Sequence, residues 1–158
     1  MRVRIQAGRW GKDIGRAAWA RWVERIVTTA GRPDSTVVIR LAGDDELRRL
    51  NRRFRHLDRP TDILSFPADR DSSDHEGCMG DIVISADTAA RQAAEDKVPL
   101  LFRLVELSAH GVIHLAGPDH HGRRRAEWNR MEKRLKKVLE AARREICGPD
   151  LAHRDRSE

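Results

Sequence analysis

The chain has 158 residues, with 31 Lys and Arg against 25 Asp and Glu and a formal net charge of +6. That length fits one domain with an ordinary core, and two cysteines, Cys78 and Cys147, exclude a disulfide framework and fit a reducing compartment. The excess of cations favours a polyanionic partner. Met1 is followed by the charged Arg2-Val3-Arg4-Ile5, and no twenty-residue apolar run occurs, so the expectation is a soluble, cytoplasmic protein that does not engage a membrane.

Val3 to Ala7 reads as a first strand. Gly15 to Ala30 places Ala18, Trp19, Trp22, Val23, Ile26 and Ala30 on one stripe, the pattern of an amphipathic helix with its tryptophans in the core. The turn residues Gly31-Arg32-Pro33-Asp34 lead to Val37 to Leu41, a β-branched strand. Asp44 or Asp45 then caps a second helix whose core face is Leu47, Leu50, Phe54 and Leu57. Along that helix Arg48, Arg52, Arg55 and Arg59 recur at spacings of four, three and four, a basic strip on which phosphates can lie.

Asp62 to Phe66 and Asp81 to Ser85 are further strands, separated by the polar stretch Ala68 to Gly80, which reads as an acidic loop. A helix runs from near Asp87 to Glu95, and after Pro99 another spans Leu100 to Ala116. Phe102, Val105, Leu107, Val112, Ile113 and Leu115 make that second helix apolar nearly all round, so it should be buried and hold side chains rigidly. A last helix, near Glu127 to Glu145, turns Trp128, Met131, Leu135, Val138, Leu139, Ala142 and Ile146 inward. One domain is expected over residues 1–147, with a polar tail over 148–158.

The run from His110 to His120 carries three imidazoles, His110, His114 and His120, four and then six residues apart. Residues i and i+4 share a helix face, so His110 and His114 can address one ion. Gly117 and Pro118 end the helix and let the chain swing His120 back as a third ligand. Three protein ligands leave a position open for water, the arrangement of a catalytic zinc site. The zincin pattern H-E-x-x-H is met only in part, because Gly111 stands where a metalloprotease carries its glutamate. That argues against peptidase chemistry.

Four blocks, in order and spacing, carry a family resemblance: Leu50-Asn51-Arg52-Arg53-Phe54-Arg55, then Arg59-Pro60-Thr61-Asp62-Ile63-Leu64-Ser65-Phe66-Pro67, then Gly80-Asp81-Ile82-Val83-Ile84-Ser85, then the histidine run. The chain resembles the YbeY family of bacterial endoribonucleases and rRNA maturation factors. The resemblance implies a single α+β domain with a four-stranded mixed sheet, surrounding helices and a three-histidine metal site at the end of a buried central helix. It implies one divalent ion, usually zinc, on His110, His114 and His120. It also implies single-stranded RNA as substrate, ribosomal RNA and the small ribosomal subunit as partners, and a role in 3′-end maturation of the small-subunit RNA and ribosome quality control. The chain departs from the family pattern at Arg123-Arg124-Arg125, where acidic residues are usual, at Pro118, where an aromatic is common, and at His121, which follows the third ligand and can compete with it.

A divalent ion on three neutral imidazoles lowers the pKa of bound water from about 15.7 toward about 7 and polarises a phosphoryl oxygen. Phosphodiester cleavage also needs cationic stabilisation of its transition state. Arg55, at the family's arginine position, is the candidate, since its planar fork suits two phosphate oxygens; the alternative is one more solvated helix arginine. Cleavage therefore depends on His114 and Arg55, with Arg48, Arg52, Arg55 and Arg59 binding substrate. Asp119 adjoins the third ligand and orients a ligating imidazole or caps the turn, the former being preferred. Thr61, Asp62, Ser65 and Asp81 are further polar residues able to line the cleft. With three Phe, four Trp and no Tyr, little points to base stacking, and binding is expected to be led by the RNA backbone and steeply weakened by salt. Two other readings stand beside this one: a metallohydrolase of a non-RNA substrate, and a non-catalytic ribosome-assembly factor with a structural metal.

Overall fold

The computed structural model describes residues 2–12, 14–68, 77–116 and 125–148. Among the described residues, four strands and five helices follow one another as β1 (Val3–Gln6), α1 (Arg16–Thr29), β2 (Thr36–Ala42), α2 (Asp44–Arg55), β3 (Ile63–Pro67), β4 (Cys78–Ser85), α3 (Ala86–Asp96), α4 (Leu100–Ala116) and α5 (Arg125–Cys147). A 3-10 turn at Gly8–Trp10 was not expected from the sequence. The strands form one sheet in the order β1-β2-β4-β3, with β1, β2 and β4 parallel and β3 antiparallel to β4. This is the four-stranded mixed sheet of an α+β domain, and β3 is one of its edges.

Strand alternation sorts the two faces. Val3, Ile5, Val37, Ile39, Leu41, Ile82, Ile84 and Ile63 point to one side, where they join α1, α4 and α5 in the main core. Leu64 and Val83 point to the other and meet Ala42 and Leu47 in a smaller cluster, with Leu50 and Phe66 packed against it. Helices α4 and α2 therefore sandwich the β3–β4 half of the sheet from opposite faces.

The tryptophans of α1 behave as core residues: Trp19 and Trp22 are buried. The indole N–H of Trp19 donates to Ser108 Oγ at 2.9 Å, and that hydroxyl donates to the Leu104 carbonyl at 2.6 Å, so the polar atoms taken out of water are paired.

Helix α2 departs from expectation at both ends. Its N-cap is Gly43, which offers no side chain, so neither Asp44 nor Asp45 caps it. The Asp44 carboxylate instead accepts from Ser85 Oγ at 2.5 Å, Thr88 Oγ1 at 2.6 Å and Arg91 at 2.9 Å, joining the start of α2 to the start of α3. The two hydroxyls, with help from Arg91, hold this carboxyl below its usual range. At the other end His56 takes the left-handed conformation, φ 59°, and stops the helix after Arg55. Phe54 and Leu57 were expected on the core face, but they are 53% and 41% exposed. Arg59 lies beyond the helix, so the helical spacing holds for Arg48, Arg52 and Arg55 only.

Among the described residues no single helix is long and apolar enough to cross a membrane. Residues 69–76, which include most of the acidic loop, and the tail beyond Gly148 lie outside the described residues.

Candidate functional site

Helix α4 occupies the bounds that its apolar pattern predicts, and most of its circumference is buried. His110 and His114 are its only exposed residues. A helix otherwise committed to the core thus offers solvent one narrow window, and both imidazoles stand in it. Their Nε2 atoms are 3.2 Å apart, with ring centroids 4.6 Å apart and planes inclined by 74°. Two nitrogens about 2.0–2.1 Å from a shared tetrahedral zinc are about 3.3 Å from each other, so the pair fits one ion. From α5, Trp128 packs beside His114, with ring centroids 5.5 Å apart.

His120, Asp119, His121 and Arg123-Arg124 lie outside the described residues. The expected three-ligand set is therefore represented by two convergent imidazoles. Among the described residues no group of three or more metal-ligating side chains is found.

Gly111 sits under the pair, against the sheet. A Cβ there would lie 2.7 Å from Ile82 Cδ1 and 3.1 Å from Ile63 Cδ1. The position after the first histidine therefore faces the core, and a glutamate at it would enter the packed interior instead of the histidine window. The departure from H-E-x-x-H thus goes with a close approach of α4 to the sheet. Beside it Ser65 on β3 donates to the Gly111 carbonyl at 3.5 Å, which brings the second sequence block against the histidine turn.

A cavity of about 440 Å³ opens next to His110, bordered by Asp62, Arg103, Glu106, Glu132 and Lys136 over an aliphatic floor. Arg103 organises its polar side: it donates to Gln92 Oε1 at 2.8 Å and to Glu106 Oε1 at 3.4 Å and lies 3.7 Å from Asp62 Oδ2. Gln92 donates in turn to Asp62 Oδ2 at 3.4 Å. Burial pushes the Glu106 carboxyl above its usual range, and Arg103 offsets this only in part. Sequence reasoning passed over Glu106 and Arg103. The signal was present, since Glu106, His110 and His114 form one row at spacings of four on a single helix face.

The arginines belong to the opposite face of the sheet. Arg55 ends α2 and is exposed, and α2 and α4 both border the edge strand β3. No contact joins Arg55 to the histidines among the described residues. Arg48 is engaged by Asp58, with Nε to Oδ1 at 2.8 Å, and the ion pair draws the Asp58 carboxyl below its usual range. Asn51, buried in α2, donates to the Arg59 carbonyl at 2.9 Å and fastens the loop that follows the helix. Asp81 is exposed on β4.

An α+β domain in which a buried central helix presents paired imidazoles beside a cavity bordered by charged side chains has the layout of a hydrolase. Residues 4–143 match the family model for endoribonuclease YbeY, and the chain belongs to the YbeY family. It is 37% identical over 147 residues to the endoribonuclease YbeY of Geobacter metallireducens, covering 92% of this chain and 98% of that protein. It is 36% identical over 141 residues to that of Geobacter sulfurreducens, covering 88% and 94%. The solution structure of TM1509 from Thermotoga maritima superposes with a TM-score of 0.62 at 26% identity, over 99% of each chain.

Proposed function

We propose that this protein is a metal-dependent endoribonuclease that cuts single-stranded RNA in the maturation of ribosomal RNA, at the 3′ end of the small-subunit RNA, and in ribosome quality control. Its setting is then the cytoplasm and its partner the small ribosomal subunit. The observation that carries this reading is the exposed pair His110 and His114 on an otherwise buried helix, 3.2 Å apart at Nε2, in a chain of the YbeY family. The residues for the ion are His110, His114 and His120, with zinc the ion that best suits imidazole donors of this spacing.

Bound there, a divalent ion supplies Lewis acidity toward a phosphoryl oxygen and lowers the pKa of water. The chain's own residues do the rest. Asp119 orients a ligating imidazole. From the end of α2, a helix that borders the β3 edge as α4 does, Arg55 reaches over that edge and offers its fork to the phosphate that takes on charge as the bond breaks. Arg52 and Arg59 bind the flanking backbone, and Arg48 joins them when Asp58 releases it. With glycine at 111 the histidine turn carries no peptidase general-base glutamate, which favours a phosphate over a peptide carbonyl as substrate.

The test is a substrate panel on the purified protein with and without a chelator. The expected result is internal cutting of single-stranded RNA, little cutting of duplex RNA, loss on chelation and recovery on adding zinc. Arg55→Ala should cut at least tenfold more slowly. Hydrolysis of peptides or small esters with RNA left intact would overturn the proposal.

A further inference from the structure

Phe54 and Leu57 are the two exposed large hydrophobic residues among those described, and Phe54 is the more exposed at 53%. Its ring is not isolated. It meets Phe66 of β3 edge to face, with centroids 5.2 Å apart and planes at 69°. Arg53 places its guanidinium 5.3 Å from the Phe54 centroid. Phe66 is held in place by an unusual backbone approach. A Cβ on Gly80, at φ 139°, would lie 2.2 Å from the Phe66 carbonyl oxygen, so only glycine lets β4 run this close to β3 at that rung. From Phe66 the register crosses the same face through Asp81 and Val38 to Arg4. Arg4 and Asp81 are exposed and Val38 is half-buried. This part of the sheet is thus uncovered beyond the end of α2.

The surroundings of the two rings choose the occupant. Residues 48–55 contain five arginines and no acidic residue, and these cations outnumber the two acids nearby, exposed Asp81 opposite Phe66 on β4 and Asp58, which pairs with Arg48. An apolar protein surface docked on Phe54 would have to strip water from these cations without replacing it. A nucleic-acid strand satisfies both features at once, because a base covers the ring and its phosphates meet the guanidinium groups. We propose that Phe54 and Phe66, with Arg53, form a nucleobase-stacking site for single-stranded RNA on the sheet face opposite the histidines. The inference rests on the RNA-cleaving function proposed above. It adds base contacts to an interaction that the sequence alone portrays as backbone-led, and it places part of the substrate across the β3 edge from the cleavage site.

The chain has three phenylalanines, Phe54, Phe66 and Phe102, and Phe102 is 2% exposed. Protein labelled with 4-fluorophenylalanine therefore gives three fluorine resonances, two from the site and one internal control. Titration with a 2′-O-methylated single-stranded decamer, which resists cleavage, should move the Phe54 and Phe66 signals saturably and leave Phe102 in place. An abasic strand of the same length should bind through its phosphates and move neither. Phe54→Ala should weaken binding of the base-bearing strand about tenfold and leave the abasic strand unaffected. If both strands bind equally and all three signals stay in place, the stacking site is overturned while RNA recognition stands. If neither strand binds, both proposals fail. Signals that move with protein concentration alone would assign the patch to self-association and also overturn the inference.

Discussion

Gly111 decides what the histidine helix can do. Without a Cβ the helix backbone comes within reach of Ile82 and Ile63, both in the main core, and the two imidazoles are carried to the opposite, solvent side. Adding one methyl group brings two opposed effects. Alanine is the better helix former by about 1 kcal/mol, whereas forcing a carbon into a filled core costs about 1–3 kcal/mol. At 2.7 Å from a side chain that is fully buried, overpacking should win. Gly111→Ala is predicted to lower unfolding stability by about 1 kcal/mol in urea titration, and a stabilised variant would show that the core has slack at this point. The sequence made His110 and His114 legible because their spacing is itself the signal. It concealed the reason for Gly111, which lies in a tertiary approach to strands distant in sequence. Asp58 was hidden for the same reason, since its partner Arg48 is a turn and a loop away.

At the scale of elements, α4 was readable to the residue and α2 was not. The difference is physical. Helix α4 is wrapped by the sheet, α1, α3 and α5, so its apolar composition and its burial agree. Helix α2 has fewer neighbours: it covers the β3–β4 side of the sheet and stops at His56, while the apolar period runs on through Phe54 and Leu57. The same stop removes Arg59 from the helical row. Within that row Arg48 is held by Asp58, so it should give RNA less than Arg52 or Arg55. Asp58→Asn frees a guanidinium and is predicted to strengthen single-strand binding and to steepen its salt dependence by about 0.7 in the log–log slope, the contribution of one added phosphate contact. An unchanged slope would mean that the strand does not follow α2.

For the molecule as a whole, the sheet separates two surfaces that share the β3 edge. One carries the imidazole pair and the cavity beside His110, the other the arginines of α2 and the Phe54 and Phe66 rings. A strand of RNA bound by both has to pass over β3, which is where the second sequence block brings Ser65 to one side and Phe66 to the other. The fold class, the mixed sheet and the buried central helix could all be inferred from the four blocks. The assignment of surfaces could not, because it depends on strand register and on which face each helix covers. In the function proposed, RNA cleavage depends on an ion held by His110, His114 and His120. This dependence is tested most directly by measuring metal content and single-stranded RNA cleavage in the same purified samples of wild type, His114→Ala and His121→Ala. About one ion per chain and RNA cleavage are expected in wild type and His121→Ala, with both lost together in His114→Ala. Full cleavage by metal-free His114→Ala would contradict the dependence.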